Sequence, residues 1–142
     1  MNLETAVKNL TAHGFSVRVF RTAQDAANAI SQELSGKTVG FGGSVTLEQM
    51  QLFETLQKNN TVYWHWKQTP AQALENARSA QVYLTSANAI SETGEIVLSR
   101  VVVPEYVVVH DGPPNDTTAR DYYVRYKDYI KNVASSEIYS TW

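Results

Sequence analysis

Val39-Gly40-Phe41-Gly42-Gly43-Ser44-Val45-Thr46-Leu47-Glu48 is an apolar run that ends in closely spaced glycines, followed by two hydroxyl residues, Ser44 and Thr46, that open a helix expected from Leu47 to about Lys58. Strand, tight turn and helix N-terminus in that order place backbone N–H groups facing outward, where the helix dipole favours an anion. Glycine suits such a turn because a side chain would block close approach of the backbone to a ligand. The spacing is not the Walker pattern, since no Gly-Lys-Ser/Thr follows. Gly40, Gly42 and Gly43 also stand closer together than the dinucleotide fingerprint requires. Two readings stand: a ligand loop, or a merely tight strand–helix connection.

Outward from the loop, apolar spacing resolves the chain into alternating elements. Leu3, Ala6, Val7 and Leu10 make a helical face that His13-Gly14 stops, and Phe15 to Phe20 alternates as a strand does. Thr22 caps a second helix, with Asp25 at its third position and Ala26, Ala27, Ile30 and Leu34 inward, and Gly36 ends it. Lys37 to Phe41 is the strand that feeds the glycine loop. Asn59-Asn60 closes the loop helix, Thr61 to Trp64 is a strand, and Thr69-Pro70 begins a helix over Ala71 to Ala80. Val82 to Thr85 is a fourth strand. This alternation predicts an α/β protein with a parallel sheet and helices on both faces. Ligands in such sheets bind beyond the carboxyl ends of the strands, so the glycine loop and the Thr85–Asn88 stretch belong on one edge.

The last third changes character. Glu95 to Leu98 and Val101 to Val103 are apolar and β-branched, Pro104 interrupts, and Tyr106 to His110 reads as a buried strand. Asp111 to Asp116 is a loop rich in turn formers, after which Asp116 or Thr117 caps a helix through about Val133. Its aromatic face (Tyr122, Tyr123, Tyr126, Tyr129 and Ile130) is read as packing or as the contact of a homodimer. Ser135 to Trp142 receives no assignment. Without repeat or linker, the 142 residues are read as one domain.

Composition removes several function classes. Net charge is −2 and the 12 Lys and Arg are scattered, so a phosphate-neutralising nucleic-acid surface is not expected. The absence of cysteine excludes disulfides, thiolate nucleophiles, zinc ribbons and iron–sulfur ligation within the chain. Met1-Asn2-Leu3-Glu4 is no charged-then-apolar leader and no apolar run reaches spanning length, so a soluble intracellular protein is expected, with no membrane partner.

Three blocks carry a resemblance: the glycine stretch Val39 to Glu48, then Trp64-His65-Trp66-Lys67, then Val82 to Ile90 with Gly94-Glu95-Ile96-Val97. In this order they resemble the LUD domain, the lactate-utilisation protein C family, over about Leu3 to Val97. The resemblance implies a three-layer α/β/α sandwich similar to the NagB/RpiA/CoA-transferase group. It also implies a place in cytoplasmic bacterial metabolism, in many members the conversion of L-lactate to pyruvate with iron–sulfur partner proteins. Two departures stand out. Leu98-Ser99-Arg100-Val101 occupies the place of the family's second glycine-rich stretch. The Ser86-Ala87-Asn88-Ala89 loop also lacks the acids of the distant ribose-phosphate isomerases, so isomerase chemistry is not carried over.

The candidate ligand residues are Gly40, Gly42, Gly43, Ser44 and Thr46 on the loop and Thr85, Ser86 and Asn88 after the fourth strand. The hydroxyls of Ser44 and Thr46 can bind an anion already held by backbone N–H donors, or one of them simply caps the helix. Glu48 is a candidate base, though acids are common in first turns for dipole reasons. His65 is the most interesting titratable group, an imidazole that can reach the carboxyl edge, or one that packs between two tryptophans. Lys67 can attract an anion or stay solvated. His110-Asp111 is a weak pair, and His13 is read as a helix-terminal residue only. The three histidines lie far apart, so no metal site is expected. No nicotinamide or flavin fingerprint names a cofactor, and a redox role would draw on an outside one. Two function classes follow: a metabolic enzyme or subunit binding a small anionic metabolite, and a non-catalytic assembly or regulatory subunit with a degenerate pocket.

Overall fold

Asn2 and Thr22 start their helices by the same device, a side-chain oxygen that accepts the N–H three residues on, from Thr5 at 3.0 Å and from Asp25 at 3.1 Å. The computed structural model of the chain describes residues 2–87, 89–97, 106–110 and 137–141. In chain order these form α1 (Leu3–Ala12), β1 (Ser16–Phe20), α2 (Ala23–Glu33), β2 (Thr38–Phe41), α3 (Val45–Gln49), α4 (Leu52–Leu56), β3 (Thr61–Tyr63), α5 (Pro70–Arg78), β4 (Val82–Ser86), β5 (Ala89–Ile90), β6 (Ile96–Val97), β7 (Tyr106–His110) and β8 (Glu137–Thr141).

Six strands form one sheet in the order β1-β8-β7-β4-β2-β3, and every neighbouring pair is parallel. The period of two along each strand sorts the side chains between its faces. Val39 and Phe41 of β2 and Val82 and Leu84 of β4 join one core with Ala26, Ala27 and Ile30 of α2, Leu47 of α3, and Leu52, Phe53 and Leu56 of α4. Gly40, between Val39 and Phe41, faces the other way and lies against the backbone of Ala77 in α5. Helices therefore cover both faces, as the alternation of elements predicts. The chain is an α/β protein with a parallel, Rossmann-like sheet.

The loop helix departs from expectation. In place of one helix from Leu47 to Lys58, the structure has two five-residue helices, separated by Gln51 in the left-handed region at φ 53°. The cause is phase. At about 100° per residue, an unbroken helix would put Leu47 and Leu56 on opposite sides. The break resets that phase, and Leu47, Met50, Leu52, Phe53 and Leu56 are all buried. A side chain at positive φ costs about 1–2 kcal/mol. Gln51→Gly is therefore expected to hold or raise stability in urea denaturation, whereas Gln51→Val should lower it by about that amount. A neutral Val substitution would mean that the break is not imposed by packing.

The C-terminal segment, which carries no sequence assignment, supplies β8 between β1 and β7, with Ile138 paired to both Val17 and Val107. β5 and β6 make a separate antiparallel pair. Their turn is tied to α1: Asn9 Nδ2 donates to the Glu92 carbonyl at 2.6 Å and His13 Nδ1 to that of Gly94 at 2.7 Å. His13 is thus a tether between elements rather than only a helix-terminal residue. The helix expected to about Val133, with its tyrosine face, lies outside the described residues, as do Asn88 and Arg100.

Candidate functional site

β2 and β4 are neighbours whose onward connections diverge, one to β3 at the sheet edge and the other toward β7. In parallel α/β sheets ligands bind beyond the carboxyl ends of the strands at such a point. The glycine loop and the end of β4 meet there. Gly42 N–H donates to the Leu84 carbonyl at 2.9 Å, extending the β2–β4 ladder beyond Phe41. Ser44 Oγ and Ser86 Oγ are 2.7 Å apart and share a hydrogen bond that joins the loop to the end of β4. A Cβ on Gly42 would lie 2.8 Å from Thr85 Oγ1 and 3.2 Å from the Tyr83 hydroxyl, so glycine lets the two strand ends close on each other.

Ser44 is 4% exposed, and its Oγ also accepts the Leu47 N–H at 3.1 Å, capping α3. The cap of α3 and the bond to Ser86 belong to the same hydroxyl. α3 has only five residues, so its dipole is a small part of what an anion would meet, and hydroxyls and loop N–H groups carry the polarity. Gly43 is exposed and Thr46 is half-buried in the first turn of α3. Thr85 and Ser86 are half-buried as well. Gly40 sits away from this group, and its want of a side chain is accounted for by α5.

The Trp64–Lys67 turn brings Trp66 to the loop. Trp66 lies against Gly43, its Cζ2, Cε2 and Nε1 within 3.3–3.6 Å of where a Cβ would stand. Trp66 stacks on Trp64 (centroids 5.3 Å, planes 18°), and Trp64 stacks on Phe41 (5.1 Å, 20°). This column runs from the core to the glycine loop. The His65 ring stands across Trp66 at 70°, with centroids 6.1 Å apart. The alternation of apolar residues exposes the column's start, but nothing in the sequence marks Trp66 as its outer end.

Glu48, the candidate base, is engaged. Lys67 Nζ is 3.3 Å from its Oε1 and 3.5 Å from Glu54 Oε1. The hydrogen bond to Glu48 raises the Lys67 pKa above 10.5 against the opposing effect of burial, and the Glu54 charge adds to the rise. Because the folded-state value is raised, this pairing supports the fold below the ordinary lysine pKa and is lost as pH climbs through the raised one. At neutral pH these ion pairs link the turn to α3 and α4. A cation bound to two acids is not the free anion receptor that Lys67 alone suggests.

Two clefts lie away from the loop. One of about 260 Å³ between β3 and α5 is lined by Tyr63, Gln68, Thr69, Gln72, Ala73 and Asn76, all uncharged. Another of about 410 Å³ lies at the amino ends of β2 and β3 and carries Lys37 and Lys58. Among the described residues no group of three His, Asp or Glu could hold a metal ion. No helix among them is long and apolar enough to cross a membrane.

The fold and the gathered loops define an α/β protein whose polar residues collect at the carboxyl edge of a parallel sheet. The family model of the LUD domain matches residues 3–100, and the chain belongs to that family. No curated protein and no solved structure matches it.

Proposed function

We propose that this LUD-family chain binds a small anionic metabolite at the β2–β4 crevice and serves lactate or related 2-hydroxy-acid utilisation. The ligand class is a phosphate ester, nucleotide, CoA-type group or short carboxylate. One observation carries the reading: the glycine loop after β2 and the last residue of β4 place paired hydroxyls 2.7 Å apart at the point where the connections diverge. Gly42, Gly43, Ser44, Thr46, Thr85 and Ser86 are its residues, and iron–sulfur proteins are the proposed partners in any redox step. Hydroxyls and backbone N–H groups suit an anion because they donate without a competing charge.

Thermal melting against nucleotides, CoA esters, sugar phosphates, lactate and pyruvate tests this reading. A ligand at about a hundred times its dissociation constant stabilises by roughly 2.7 kcal/mol, a shift of several degrees. Gly43→Val and Ser86→Ala are expected to lose the response. Ser44→Ala is a poorer probe, because removing the cap costs about 1 kcal/mol by itself. Absence of any shift at millimolar ligand would remove the binding reading.

The engagement of Glu48 by Lys67 favours a second reading, a non-catalytic assembly or regulatory subunit with a degenerate pocket. Size-exclusion chromatography with light scattering, and capture of iron–sulfur partners, would bear on that reading and on the proposed homo-oligomer.

A further inference from the structure

Trp66 is 44% exposed although its ring is braced from below by a buried column. A single exposed indole is ordinary on a protein surface. Its setting is what matters. Trp64 is fully buried and holds Trp66 in a near-parallel stack, so the indole plane is fixed before anything binds. The ring edge carrying Nε1 lies against Gly43, next to the Ser44–Ser86 hydroxyl pair. Stacked on Trp64 and only partly covered, the indole keeps surface of its own beside the glycine loop.

We infer that Trp66 is a stacking platform for a planar ring, so the crevice takes ring-bearing anions such as nucleotides, CoA-type nucleotides or flavin nucleotides in preference to bare phosphates and short carboxylates. This rests on the anion reading above and narrows it. Aromatic side chains stack on planar bases, and a pre-set ring spares the complex the cost of ordering it. One molecule can meet both features, because Trp66 touches the residue that precedes Ser44. Base-on-aromatic stacking is sequence-tolerant, so the platform selects a class of ligand rather than one base.

The test is calorimetric titration of the full chain with ADP, coenzyme A and FMN, against pyrophosphate and ribose 5-phosphate as ring-free probes. At least one ring-bearing probe is expected to bind about tenfold or more tightly than both ring-free ones. Trp66→Ala should bring that ratio close to one, and Trp66→Phe should retain most of it. Equal binding of ring-free and ring-bearing probes by the wild type would overturn the platform and leave the anion site standing. So would a ring preference that survives Trp66→Ala. Ring binding that depends on Trp66 but ignores Ser86→Ala would uphold the platform and overturn the anion reading. No binding of any probe at millimolar concentration would overturn both.

Discussion

Alanine at Gly40 is expected to lower the melting temperature by about 10 °C or to prevent folding, a loss of about 3 kcal/mol or more. The added Cβ would stand 2.5 Å from the carbonyl oxygen of Ala77, 2.7 Å from its Cα and 2.9 Å from its carbonyl carbon. All three are backbone atoms of a nine-residue helix, which cannot swing aside as a side-chain tip can. α5 must therefore lift from β2, and Ala73 and Ala77, both buried on its inner face, lift with it. Gly36 provides the control. It has φ +67° and nothing within 4 Å of a built Cβ, so alanine there meets only the backbone cost of about 1–2 kcal/mol. If Gly40→Ala melts within about 2 °C of wild type, α5 is not seated on β2 as described. The same variant separates two explanations of the glycine. A loss of stability without ligand assigns it to helix–strand packing rather than to a bound molecule.

That contrast marks how far the sequence could be read. Val39, Phe41, Val82 and Leu84 alternate with residues of the opposite face, and alternation with helices is enough to dictate the parallel sheet. Thr22 with Asp25 three residues on announces a helix start, because the cap is a local hydrogen bond. The proximity of Gly42–Ser44 to Thr85–Ser86 follows from the rule about carboxyl ends, and the structure brings those stretches together. Other features depend on groups far apart in the chain. The break at Gln51 satisfies five apolar side chains against partners in α2 and the sheet, and no pattern local to residues 47–58 reveals it. β8 is a short strand recognisable only through the gap it fills between β1 and β7. The pairing of Lys67 with Glu48 and Glu54 joins residues 13 to 19 positions apart, and it changes the reading of all three. Trp66 needed the three-dimensional column before its place at the loop could be seen.

Trp64→Ala is expected to cost about 3–5 kcal/mol, the range for deleting a large buried aromatic side chain. Trp64 is fully buried and touches Phe41, Phe53 and Trp66 ring to ring, with Lys67 Nζ 5.9 Å from its centroid. Truncation removes the middle of the column and leaves a void between rings that cannot collapse, because Phe41 is fixed in β2. Trp64→Phe should behave differently. Among the described residues no acceptor faces the buried Trp64 Nε1. A buried N–H without a partner costs about 1–3 kcal/mol, so a phenyl ring removes that cost while it keeps a stacking surface. The net loss for Phe is expected to stay below about 2 kcal/mol in urea denaturation. Near-ultraviolet circular dichroism offers a second readout, since two indoles 5.3 Å apart couple and either Trp64 variant removes that signal. A cycle combining Trp64→Phe with Trp66→Ala should then return a coupling of about 0.5–1.5 kcal/mol, the range for an aromatic pair. If Phe proves as damaging as Ala, Nε1 serves an acceptor that matters, and the column is held by a hydrogen bond as well as by stacking. If coupling is absent, Trp64 does not fix the plane of Trp66, and the brace beneath the crevice must be sought in the Lys67 pairing instead.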